Sequence, residues 1–220
     1  MTSIDELAEE ISATFEAKDR AREDALALTR AVVRRSGAAI RSIHRGELDR
    51  ALDLAGEAGI SLAAILDLLK EHPDVRYSGL VDGAEQEYAE ARIVYSLITE
   101  ERIPHPQEVG VEMTSYLAGL GDAVGELRRH ILDLIRLGRP EEGEAHLAAM
   151  EEIYHLLMSF DYPDAVTKGM RRKGDVARSL LDRTRGDLTN AIGQRRLEVQ
   201  LREVEERLEG RDNPKENFSL

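Results

Sequence analysis

The sequence predicts an all-α protein, and three observations carry that reading. Apolar residues recur with roughly helical spacing along the long segments, as in Leu7, Ile11, Phe15, Leu26, Ala31 and Val33. That is the period of a helix with one face turned inward. No segment alternates apolar and polar residues as a half-buried strand would. The strong breakers fall between the periodic segments: Gly46, His72-Pro73, Pro104 and Pro106, Gly138 with Pro140, and Pro163. The expected architecture is an antiparallel bundle of about six or seven helices. It forms one domain over residues 1–209, followed by a polar tail, 210–220, expected to be disordered.

Taken in order, Ser3-Ile4-Asp5-Glu6 fits a capping box and opens a helix expected to run to about His44. Gly46 to Leu48 turns the chain. Two shorter helices are expected over 48–57 and 61–71, divided at Gly59, with Ser61 as N-cap of the second. His72 precedes a proline, where the helical region is disfavoured, and reads as a loop residue. The next helix is expected to continue to about Glu101, and His105 follows in a loop. A strongly apolar helix is predicted over 112–137. Its glycines, Gly119, Gly121 and Gly125, each cost about 1 kcal/mol against Ala, a cost a helix tolerates where another backbone or a ligand must come close. A helix over 141–162 should turn Leu147, Met150, Ile153, Leu156 and Leu157 inward. The last is expected from 164 or 165 to 208. It ends in a seam of Leu197, Leu201, Val204 and Leu208, spaced like a short coiled coil that packs on a partner helix.

Composition narrows the function. The 220 residues hold 30 Lys+Arg against 43 Asp+Glu, a formal charge of −13. Such a chain is not a uniformly basic nucleic-acid binder, so local clusters must carry any such role. Cysteine is absent, which removes disulfides, thiolate metal sites and cysteine nucleophiles. No Trp and 4% aromatic residues argue against base stacking as the main binding device. No apolar run is long enough for a membrane span, and the acidic N-terminus is unlike a signal peptide. A cytoplasmic protein is expected.

Two patterns carry chemistry. Glu87 and Glu90 are three apart on one helix, and Asp122 and Glu126 are four apart on another, so each pair shares a helical face. If the helices pack side by side, four carboxylates converge. Such a cluster repels itself unless it is protonated or neutralised by cations. Oxygen-only ligands suit hard ions such as Mg²⁺ or Mn²⁺. The alternative is that these acids are a solvated face. The second pattern is basic. Acids vanish between Asp24 and Glu47, a stretch that carries Arg34, Arg41, His44 and Arg45; the last helix opens with Arg171, Arg172, Lys173 and Arg178. These residues would meet a phosphate backbone, with an affinity that falls steeply with salt, or else form a solvated charged face. Glu152-Ile-Tyr-His155 is a single match to a di-iron motif that needs two. Gly-rich phosphate loops, His-Glu-x-x-His and Gly-x-Ser-x-Gly do not occur.

Several blocks together resemble the translin family. They are Arg41-Ser-Ile-His-Arg-Gly46, Gln86-Glu-Tyr-Ala-Glu-Ala91, Tyr116-Leu-Ala-Gly-Leu120 with Gly125-Glu-Leu-Arg-Arg129, and Tyr162-Pro-Asp164 through Lys173-Gly-Asp-Val-Ala-Arg178. The resemblance spans nearly the whole chain. It implies an all-helical fold that assembles into a closed, usually octameric shell binding single-stranded RNA and DNA. The acids at Glu87, Glu90, Asp122 and Glu126 match the translin-associated factor X branch, which implies a Mg²⁺-dependent endoribonuclease. The alternative is a non-catalytic binder of single-stranded nucleic acid, as translin itself is. The length resembles the compact archaeal members, which implies a homo-oligomer.

Overall fold

The computed structural model describes residues 3–100 and 102–211, and among these every regular element is helical. Six long helices form the body: α1 (Ile4–His44), α2 (Leu48–Leu68), α4 (Asp82–Thr99), α6 (Met113–Arg136), α7 (Gly143–Met158) and α9 (Met170–Arg211). Short turns α3 (Pro73–Val75), α5 (Pro106–Val109) and α8 (Asp164–Thr167) punctuate the connections. The capping box at Ser3 forms as the sequence predicts, Ser3 Oγ accepting from Glu6 N at 3.1 Å and Glu6 Oε2 accepting from Ser3 N at 2.8 Å.

The two helices expected over 48–71 are one. Gly59 does not break α2. It lies against the Tyr88 hydroxyl, which a Cβ at this position would meet at 2.8 Å. Ser61 is no N-cap. Its Oγ donates to Glu57 O at 3.1 Å and accepts from Arg35 at 3.0 Å. The Arg35–Glu57 ion pair (2.8 Å) joins α1 to α2 in an antiparallel hairpin, closed by Gly46 at φ 74°. His72 and His105 stand at the N-caps of α3 and α5. The helix predicted over 141–162 ends at Met158. The last long helix starts at Met170, because Lys168 (φ 48°) and Gly169 (φ 85°) both take left-handed conformations and separate α8 from α9. Its described part continues to Arg211, three residues past the expected end; residues 212–220 of the expected tail lie outside the described residues.

Helix α6 is central, packing against α4, α7 and α9. Leu120, Leu127 and Ile131 of α6 meet Ile93, Met150, Ile153 and Leu188 in a fully buried core. Burying each such side chain contributes about 1.5–3 kcal/mol. Leu156, expected inward, is 38% exposed. The start of α4 is fixed by a buried ion pair, Arg76 to Glu85 at 2.6 Å, with Ser115 donating to the other Glu85 oxygen at 3.1 Å. Ser115 lies on α6, so this clamp ties α4 to α6 one residue before Gln86. No helix among the described residues is long and apolar enough to cross a membrane.

Candidate active site

Helices α4 and α6 touch backbone to backbone at Gly119. A Cβ there would lie 2.8 Å from Ala89 Cβ, 2.9 Å from Glu90 N and 3.0 Å from Gln86 O. Only hydrogen fits, so the glycine sets the helix spacing. The approach brings the two acidic pairs together. Glu90 is buried, and Glu87, Asp122 and Glu126 are half-buried around it.

The electrostatics show the convergence. Burial first, then the charges of Asp122, Glu87 and Glu126, push the Glu90 carboxyl up to about 8, with Lys173 pulling the other way. Burial and the same neighbours, Asp122 before Glu126, also raise Glu87. Glu126 behaves oppositely. A hydrogen bond from His44 holds its carboxyl below the usual range, with His44 Nε2 and Glu126 Oε2 2.5 Å apart. Arg129 adds a longer contact to Glu126 at 3.7 Å. Asp122 accepts from Gln86 Nε2 at 2.6 Å on one oxygen and pairs with Lys173 Nζ on the other.

The predicted phosphate-contacting residues divide. Arg34, Arg41 and Arg45 are exposed on α1 and its C-cap, and Arg171, Arg172 and Arg178 are exposed on α9. Arg34 lines a cavity of about 390 Å³ with Arg30, Leu80 and Gly83, between α1 and the start of α4. Arg171 pairs with Asp161 at 3.1 Å. His44 does not join this surface: its side chain is 3% exposed and turned onto Glu126. Lys173 is turned into the acidic cluster instead. Glu152 and His155 are exposed on α7, far from the interior placement a di-iron pair requires.

Sequence reasoning missed three partners in the cluster. Gln86 precedes Glu87, and its role follows once that helix face is seen against α6. His44 and Lys173 reach Glu126 and Asp122 across 82 and 51 residues of sequence. No local spacing announces such contacts.

The donor set is oxygen-only and suits a hard divalent cation. Four carboxylates face the Lys173 ammonium, the His44 imidazole and, at 3.7 Å, the Arg129 guanidinium, so carboxylates outnumber the cationic partners. As the side chains lie, no group of three His, Asp or Glu among the described residues stands in metal-ligating geometry: Asp122 is turned onto Lys173 and Gln86, and Glu126 onto His44. The residue types and their convergence fit a cation, and the rotamers of Asp122 and Glu126 would change to take one.

No protein-family model matches the chain. An uncharacterised protein of Methanocaldococcus jannaschii is 32% identical over 190 residues, 86% of this chain and 84% of that protein. Among solved structures, AfC3PO in complex with duplex RNA superposes with a TM-score of 0.80 at 33% identity, covering 86% of this chain and 97% of that one. AfC3PO alone gives 0.78 at 33% identity, covering 86% and 98%. Apo-NeC3PO shares the fold, at a TM-score of 0.70 and 24% identity, over 87% of this chain and 98% of its own. These C3PO chains are translin-family proteins. With a third of its residues matched over most of its length, and the same helical fold throughout, this chain belongs to the translin family.

Proposed function

We propose that this protein is a divalent-cation-dependent endoribonuclease of the translin-associated factor X type, working inside a homo-oligomeric, octameric shell. The carrying observation is the convergence of Glu87, Glu90, Asp122 and Glu126 where α4 and α6 meet at Gly119. RNA as the ligand is supported by the AfC3PO complex with duplex RNA.

Mg²⁺ or Mn²⁺ held by these four carboxylates would supply an activated water and charge stabilisation at the scissile phosphate. The chain's own residues do the rest. Gln86 and the Arg76–Glu85–Ser115 clamp hold the acidic face of α4 against α6. His44 holds Glu126 through its Nε2 in the cation-free arrangement. Glu90, held up to about 8, would carry a proton near neutral pH and would release it to solvent if positive charge entered the cluster. Arg41 and Arg45 flank His44 on the exposed side of α1, where they would hold the backbone of single-stranded RNA beside the carboxylates.

The second reading is a non-catalytic binder of single-stranded RNA or DNA. It is favoured by Asp122 and Glu126 already being satisfied by Lys173, Gln86 and His44. Incubation of end-labelled RNA, single-stranded and duplex, separates the two. Cleavage by the wild type with Mg²⁺, lost with EDTA and in Glu87→Ala/Glu90→Ala, is the expected outcome. Tight binding without cleavage in every lane would make the carboxylates structural and the protein a binder.

A further inference from the structure

The cluster carries one resident ammonium, and its path is built. Lys173 comes from the first turn of α9, and its stem lies across α6 at Gly121. A Cβ on Gly121 would stand 3.0 Å from Lys173 Cβ, 3.2 Å from Cδ and 3.4 Å from Cγ. The missing side chain at Gly121 is therefore the channel that leads the lysine to the neighbouring Asp122. The Lys173 side chain is 26% exposed and Asp122 is 31% exposed, so the head group stands at the mouth of the cluster.

Residue type adds a second observation. The chain uses 25 arginines and five lysines, and lysine serves at this position. Arginine's planar fork favours a fixed bidentate grip, whereas lysine offers a compact charge on a flexible stem with three donors. Both Asp122 oxygens are engaged, by Gln86 and by Lys173. A second cation therefore competes with the ammonium for the same carboxylate.

We propose that Lys173 is a displaceable counter-ion. It neutralises Asp122 while the carboxylates hold no divalent cation, and it passes to an RNA phosphate when they take one up. The stem stays pinned at Gly121 and only the head group moves. Exchange on these terms would couple cation loading to substrate capture, because Asp122 is the ion-pair partner of Lys173 among the described residues and its loss leaves the ammonium available to a phosphate. The inference rests on the cation-dependent reading above.

The test is Mn²⁺ binding to the full-length protein, by calorimetry and by loss of the free-ion electron paramagnetic resonance signal. It uses the wild type, Lys173→Met and Lys173→Gln, each checked for unchanged helicity. Removing the competitor should tighten Mn²⁺ binding about tenfold in both variants, while RNA affinity and RNA cleavage at saturating Mn²⁺ fall. A static salt bridge also repels Mn²⁺ but keeps Lys173 on Asp122 and off the RNA, so RNA affinity at saturating Mn²⁺ that is unchanged in both variants overturns the proposal. Should Lys173→Met lose helicity, the Lys173→Gln value decides. Mn²⁺ uptake by the wild type with no gain in the variants defeats the counter-ion role alone. No uptake by any protein defeats the cation reading and this role together.

Discussion

Glu90 sits in an environment far from water. Its carboxyl is pushed from the ordinary 4.5 up to about 8. The folded state therefore holds a proton that the unfolded chain releases, and this contribution to stability is full below pH 4.5 and lost as pH rises through 8. His130 opposes it at lower pH. Burial and the neighbouring His146, whose ring is 4.7 Å away, hold His130 neutral down to about 4. Its contribution is full above 6.5 and lost as pH falls through 4. Between 4.5 and 6.5 the two partly cancel, and above 6.5 Glu90 dominates. In EDTA, Tm should drop between pH 6.5 and 8 by at least 2–4 °C, the shift that about 1 kcal/mol gives in a chain of this size. Millimolar Mg²⁺ should recover it, and Glu90→Gln should flatten it. An equal slope in Glu90→Gln, followed by circular dichroism, would remove Glu90 as the source.

The helices themselves were largely legible. Their apolar period and their proline and glycine stops place α1, α4, α6 and α7 within a few residues of the observed bounds. The failures have physical causes. Gly59 looked like a break because glycine weakens helices, but its lack of a side chain serves the Tyr88 contact. The start of α9 falls later than the sequence predicts because Lys168 takes a positive φ, which no residue-type preference signals. The acidic pairs were legible because three- and four-residue spacings define a helix face. Lys173 and His44 were not, since their partners are distant in sequence. The three glycines of α6 also prove unequal. Gly119→Ala meets Ala89 and the α4 backbone below 3.0 Å, so overpacking of about 1–3 kcal/mol should outweigh the helix-propensity gain, lowering Tm and loosening the site. Gly125→Ala meets only Leu180, at 3.9 Å, and should stabilise by up to about 1 kcal/mol. Thermal melts of the two variants check this pair, and a Gly119→Ala protein as stable as wild type would refute the close-approach argument.

At the scale of the molecule, the two longest helices overrun the body. Ile4, Leu7, Ile11 and Phe15 of α1 are 45–80% exposed, and Leu197, Leu201, Val204 and Leu208 of α9 are 50–59% exposed. The four residues of the expected seam lie exposed on α9, and no helix among the described residues covers them. An apolar row of this kind marks an interface, and a second subunit is the partner the proposed shell requires. Leu201→Asp/Leu208→Asp should therefore lower the mass measured by light scattering while leaving helicity intact. An unchanged mass would place the assembly contacts elsewhere.

The meeting of α4 and α6 has one more consequence. At Gly119 the α6 main chain rests on the α4 main chain and the Ala89 methyl, so the gap between the acidic pairs is set by backbone and one small side chain. Exchanging one aliphatic side chain for another elsewhere in the core can shift volume without resizing that gap. The dimensions of the site are thereby insulated from sequence drift in the surrounding bundle, except at Gly119 and the small Ala89 that faces it.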